Sequence, residues 1–496
     1  MKKVISTVLV SAMALCVNTA KADNISLEEA REAAAYFMGY YTETPELTAN
    51  DLTLVYQIDN EKLGIPASYF FNVGKGGWII MAGTTTIRPI IGYSDEGTLV
   101  VEEFAPNMKW WVTGFSEMVS QIQEEDAELD YPDNEVWTAL KTKSYKGGTK
   151  ADQHVLTQIK WGQGDANGVT FNHFCPQGNN GDYAVVGCVA TAMAQIMRYY
   201  QHPHQPVGTA RYFLYDRLSS SEQALMPDIQ LKVNFDTAAP FDYTMMPMKP
   251  VSGNYLNCST EEMHEIARLS YYAGVSVKMG YTTVSSGAVS ANVPTAMSRY
   301  FKYQTGRLVY RGSGNLSDEE YISRLRTLLL NDNVVYMGGA SLTGNGNDRD
   351  GHAWVCTGYK ESNDYEYYMN WGWEGSQNGF YDLGHNNMPI SGYGYNFNQS
   401  QEFIEGMIPL EETGIDEVDG TELGSAYPSP AIHSVTLPYS APNATSIVIY
   451  NIEGKAVATY PVHAGMGEVT VNVESFPAGV YIYRMNSQSG RFMVSK

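Results

Sequence analysis

Cys188 opens a stretch, Gly187 to Tyr200, whose apolar residues at 189, 192, 193, 196, 197 and 200 follow the spacing of one buried helical face. A cysteine on the first turn of a helix meets the positive end of the backbone dipole and unpaired N–H groups. Both favour the thiolate, which is the nucleophilic form. Gly187 before it permits a sharp entry and close approach of a ligand. Far downstream, His352 stands after a Gly/Asn/Asp turn at 344–351 and begins an apolar strand that runs to Tyr359, so its ring can face a cleft. A third segment, Tyr367 to Gly375, ends a strand in Asn370-Trp371-Gly372. A nucleophile, a base and an orienting group in this order have the layout of a thiol hydrolase. Each piece also has a plain structural reading, as a buried cysteine, a strand histidine or an aromatic turn. The ordered set is what points to chemistry.

The stretches GCVATAMAQIMRYY, GHAWVCTGY and MNWGWEG resemble the cysteine peptidases of the streptopain family, secreted bacterial relatives of the papain fold. The likeness runs through residues 150 to 410, with its motifs in the expected order. It implies Cys188 as nucleophile, His352 as base and Gln163, in Ile159-Lys160-Trp161-Gly162-Gln163, as oxyanion-hole donor. It leaves open whether Asn370 or Trp371 orients the base. It also implies that Tyr281, Ser285, Ser286 and Gly287 line the substrate cleft, and that an apolar side chain is preferred two residues before the scissile bond.

The elements around these residues suggest several units. Lys2-Lys3, an apolar run from Val4 to Leu15 and Ala20-Lys21-Ala22 read as an export signal over residues 1–22. The run is too short to span a bilayer. Bulky Leu15 argues against lipidation at Cys16. Residues 23–145 carry a helix from Leu27 to Tyr41, capped by Ser26 with Glu29, then strands and a helical run from Asn107 to Glu125. This unit resembles the family's propeptide, an α+β domain that lies over the cleft and keeps the zymogen latent; the alternative is a separate binding domain. The polar, basic joint from Lys141 to Lys150 suits an activating cut. The expected architecture is α+β: a two-lobed papain-like catalytic domain at 150–410, an acidic linker at 411–424 and a C-terminal β-sandwich at 425–496. In the sandwich, Tyr427-Pro428-Ser429-Pro430 and Pro477-Ala478-Gly479-Val480-Tyr481 resemble the sorting domain of type IX secretion, which makes export machinery a partner and places the chain outside the cell or on its surface.

Composition narrows the choice. A formal charge of −22 argues against nucleic acid or an anionic membrane as partner. Nine scattered histidines without H-E-x-x-H or C-x-x-C supply no metal site, and thiol chemistry needs no cofactor. Without the signal four cysteines remain, Cys175, Cys188, Cys258 and Cys356. Cys356 shares the face of His352 by alternation, and bonding it to Cys188 would abolish activity, so free thiols are expected. The reading is thus an exported cysteine endopeptidase acting on polypeptides, with its own propeptide as inhibitor. The alternatives are an inactive relative that binds peptides or acts as an adhesin, and a thiol acyltransferase distinguished by transfer to an amine.

Overall fold

The computed structural model describes residues 24–125, 134–166, 169–252, 255–311, 316–340, 351–383, 401–410, 422–424, 426–452, 454–486 and 488–496. The expected export signal and most of the acidic linker lie outside the described residues. The chain divides into two units, one ending at Pro409 and one beginning at Leu410.

In the first unit, helix α1 (Leu27–Tyr41) starts on the expected capping box: Glu29 N–H donates to Ser26 Oγ at 3.3 Å, and Ser26 N–H donates to the Glu29 carboxylate at 2.9 Å. Strands β1 (Leu52–Asn60), β2 (Ile65–Val73), β3 (Trp78–Ala82) and β4 (Ile90–Ser94) follow as an antiparallel meander. Helices α2 (Pro106–Glu125) and α3 (Asn134–Lys141) pack on it. Further along come β5 (Gln153–Val155), β6 (Leu308–Tyr310), β7 (Val335–Ala340), β8 (Gly351–Lys360), β9 (Asn363–Asn370), β10 (Gly379–Asp382) and β11 (Glu402–Ile404). All join one 11-stranded sheet in the order β1-β2-β3-β4-β10-β9-β8-β7-β11-β6, with β5 paired to β8.

This sheet separates two cores. Trp354 and Cys356 of β8 face the core shared with α1, α2 and α3, whereas Ala353 and Val355 face the other. That second core is closed by α4 (Cys188–Tyr200), α5 (Thr260–Ser276) and α6 (Val293–Tyr300). Period-two alternation along β8 therefore feeds both layers at once. Cys356 is accordingly fully buried on the side away from α4.

Residues up to 145, expected over the cleft, meet the rest of the unit at the sheet edge and beside Trp354 and Trp371. They extend the sheet at its edge, β4 pairing with β10 through Tyr93↔Phe380 and Gly92↔Tyr381. Gly92 is required there, because a Cβ would stand 2.6 Å from the Tyr381 ring. They also cover the face opposite α4, where Trp111 lies edge-on to Trp354 with ring centres 5.9 Å apart. A polar knot fastens this contact. Tyr93 Oη donates to Glu366 at 2.5 Å, and buried Lys360 donates to the Gly148 carbonyl at 2.9 Å. The Lys360 ammonium sits 4.5 Å from the Tyr41 ring centre and 5.3 Å from that of Tyr93. Burial lowers the Lys360 pKa, and the nearby Glu366 carboxylate offsets part of that.

The second unit has strands β12 (Glu422–Leu423), β13 (Ser434–Ala441), β14 (Thr445–Tyr450), β15 (Ala456–Val462), β16 (Gly465–Asn472), β17 (Gly479–Met485) and β18 (Gln488–Val494). They form two sheets, β12-β13-β16 and β15-β14-β17-β18, around Val435, Leu437, Ile447, Ile449, Val471 and Phe492. This is the expected sandwich, with β12, inside the expected linker, and β18 as strands the sequence reading did not include. Among the described residues no helix is long and apolar enough to cross a membrane.

Candidate active site

Helix α4 buries Val189 through Met197 and starts at Gly187, whose φ of 87° lies in the left-handed region. A side chain there would also collide with the chain above it: a Cβ would stand 2.9 Å from the Ser286 carbonyl oxygen and 2.8 Å from Met279 Sδ. The loop that carries Ser286 therefore presses directly on the turn that presents Cys188. The thiol itself is partly exposed. Burial raises its pKa, and the N–H groups of Ala353, Val189 and Cys188 draw it back. The helix terminus thus acts as the sequence suggests, but desolvation outweighs it in this form of the chain, and the thiolate expected from the sequence is disfavoured.

The Ala353 N–H that reaches the thiol belongs to the residue after His352, which ties β8 to the first turn of α4. Asn370, at the end of β9, donates both amide hydrogens, to the Ile159 carbonyl at 2.6 Å and to Gln195 Oε1 at 2.5 Å. Its own Oδ1 accepts from Gly372 N–H at 3.1 Å. It therefore knits β9 to α4 and to the 159 segment. Trp371 Nε1 donates to the Gln377 carbonyl at 3.1 Å, and its ring centre lies 5.3 Å from that of Trp354, two residues beyond His352.

Gln163 is buried, and its main-chain oxygen accepts from Val186 N–H at 2.8 Å, two residues before Cys188. Its Nε2 is buried with no hydrogen-bond partner among the described residues, which suits a donor awaiting an acceptor. Among the cleft candidates, Ser285 and Gly287 are exposed. Tyr281 is not a wall: it is fully buried, facing Cys175 and the Tyr271 carbonyl inside the second core. Ser286 is also buried, its hydroxyl held by Thr282 N–H at 3.1 Å. Alternation along a short loop cannot reveal which side chains fold under it. Cys175, Cys188, Cys258 and Cys356 are free thiols. No group of three His, Cys, Asp or Glu able to hold a metal occurs among the described residues.

Glu374 lies against this site. Its Oε1 is 1.7 Å from where a Cβ on Gly162 would stand, and its N–H donates to the Trp161 carbonyl at 3.1 Å. Burial alone lifts its carboxyl from 4.5 to about 6. The folded chain then holds this proton more tightly than the unfolded chain, so the fold loses stability as pH rises through that window and stays weakened above it. Glu374→Gln is expected to raise the melting temperature at pH 8, by the equivalent of about 2 kcal/mol, and to leave it unchanged at pH 4. Thermal melts of both chains at the two pH values check this.

The fold and site define a thiol hydrolase domain of papain-like architecture. Residues 161–381 match the peptidase C10 family model, residues 22–119 that of the Spi protease inhibitor, and residues 425–496 that of the secretion system C-terminal sorting domain. The chain is 26% identical over 423 residues to the thiol protease/hemagglutinin PrtT of Porphyromonas gingivalis, covering 82% of this chain and 44% of that one. It is 27% identical over 361 residues to streptopain of Streptococcus pyogenes, covering 69% of this chain and 80% of that one. A prointerpain A fragment from Prevotella intermedia shares the fold at a TM-score of 0.54, with 21% identity over 72% of this chain and 99% of the fragment. Residues 161–381 thus belong to the peptidase C10, streptopain-like family of cysteine peptidases, preceded by an inhibitor segment and followed by a sorting domain that marks an exported chain.

Proposed function

We propose that the chain is an exported cysteine endopeptidase made as a latent zymogen. The observation that carries this reading is the meeting of three elements. The Cys188 thiol lies against the N–H of the residue after His352, and the unpartnered Gln163 amide sits one hydrogen bond from the Cys188 turn. In the reaction His352, which alternation along β8 sets on the Trp354 face in this form of the chain, turns to the thiol and takes its proton, and the Cys188 sulfur adds to a peptide carbonyl. The resulting oxyanion accepts hydrogen bonds from Cys188 N–H and Gln163 Nε2. Collapse breaks the C–N bond, and His352 returns the proton to the leaving amine. Water then hydrolyses the thioester and restores the thiol. Of the two candidates for holding the imidazole, Trp371 is the better supported: the Asn370 amide is engaged through both hydrogens and through its oxygen, which accepts from Gly372 N–H, whereas the Trp371 ring lies against Trp354, two residues beyond His352. Residues 23–145 supply latency, a cut between Lys141 and Lys150 begins activation, and an N-terminal signal over residues 1–22 starts export.

The test is to nick the chain with trypsin in the joint, then follow casein hydrolysis and uptake of a biotinylated thiol-directed inhibitor. Hydrolysis is expected to appear with label on Cys188 in peptide maps. A fully nicked chain that neither cleaves casein nor takes label at Cys188 would overturn the proposal in favour of a peptide-binding relative.

A further inference from the structure

Along the segment from Ile159 to Gly162, Ile159 and Trp161 enter the second core, and alternation sets Lys160 and Gly162 on the other side. The turn after β9 comes down on that side. The Glu374 side chain lies on Gly162, the residue before Gln163, in the place a side chain at 162 would take. The Lys160 stem runs along Gly375, with Cδ 2.6 Å and Cε 3.1 Å from where a Cβ there would stand. Lys160 and Glu374 thus occupy adjoining places on one small surface. The ammonium is one bond beyond Cε, so a change of rotamer at its end carries it toward the Glu374 carboxylate.

In this form of the chain that ammonium is held elsewhere. Lys160 Nζ donates to Glu96 Oε2 at 3.2 Å, and Glu96 belongs to the segment before the joint. Of the neighbouring cations, Lys150 pairs with Asp95 and Lys249 donates to the Gln158 amide oxygen at 3.0 Å. The α4 side chains that meet the same turn at Gly372, Thr191 and Gln195, are neutral. Glu374 is left without an ion pair among the described residues, with burial alone acting on its carboxyl. An ionised carboxylate there stands one residue from the amide that meets the oxyanion. Its uncancelled charge opposes the negative charge that develops on the substrate.

From this geometry we infer that Lys160 is a positioning residue of the mature enzyme: when the segment carrying Glu96 departs, Lys160 passes to Glu374 and cancels its charge beside the oxyanion donor Gln163. The inference rests on the peptidase reading above. It gives the N-terminal segment a second task, since Glu96 withholds from the site a cation that the reaction uses. No covalent bond changes in the exchange; one ion pair replaces another, and the new one is the less exposed to water.

The test measures peptide hydrolysis by the nicked full chain at pH 5 and pH 8, for wild type, Lys160→Met, and Lys160→Met combined with Glu374→Gln. Against wild type at the same pH, Lys160→Met is expected to lose about tenfold in kcat at pH 8, with KM little changed. At pH 5, where Glu374 carries its proton, the loss should nearly vanish. Adding Glu374→Gln removes the stranded charge and should restore most of the activity at pH 8, a gain that misfolding cannot produce. If Lys160→Met equals wild type at both pH values, loses equally at both, or is not restored by the second change, the inference is overturned and the peptidase reading stands. A fully nicked wild type that cleaves no peptide and takes no thiol-directed label overturns both.

Discussion

Cys188→Ala is expected to lower kcat/KM for peptide hydrolysis by about 10⁴-fold or more, the usual cost of deleting an attacking nucleophile. The fold should tolerate the change. The thiol occupies the first turn of α4, is partly exposed, and leaves the buried face from Val189 to Met197 intact. The variant should therefore melt close to wild type, be nicked by trypsin at the same rate and keep its N-terminal segment. If the nicked wild type hydrolyses casein and the alanine variant does so equally, the nucleophile lies elsewhere.

Gln163→Ala should cost about 10²- to 10³-fold in kcat with little change in KM, because its Nε2 has work to do only when negative charge develops on the carbonyl oxygen. The side chain is buried and its amide nitrogen has no partner among the described residues, so truncation removes a donor and breaks no existing hydrogen bond of that atom. The main-chain bond to Val186 remains and should hold the loop in place. Steady-state kinetics separate the outcomes: a rise in KM at constant kcat would make Gln163 a ground-state contact. Unchanged kinetics would remove it from the site.

Much of this site was legible in the chain because its signals are local. The apolar spacing of 188–200 is a helix, Gly187 must precede it, and the strand that begins at Gly351 follows a turn-rich segment. The buried faces and the sandwich strands came from the same two periods. What sequence could not supply was everything set by registry between distant strands. Glu374, just past β9, comes to lie on Gly162, and no local pattern announces that contact. The raised thiol pKa of Cys188 likewise comes from desolvation by neighbours far along the chain, whereas the helix dipole that argues the other way is written in the helix itself. Tyr281 looked like a wall and is core, since burial beneath a loop depends on what the loop rests against.

Under the proposed activation by a cut in the joint, the pairing of β4 with β10 gives maturation a clock. A cut in the joint severs the backbone but not the sheet: the strand ladder, the Tyr93–Glu366 bond and the Trp111–Trp354 contact all persist after it. The severed segment must then peel away from the edge, which is a first-order step. A freshly cut molecule is covalently open and still silent, with a lag that does not shorten when more of the cutting protease is added. When the segment departs, β10 becomes a bare strand edge, and such edges readily take up another strand. The same surface that delays activity therefore also admits a returning segment, so that dilution hastens the end of the silent period and crowding prolongs it.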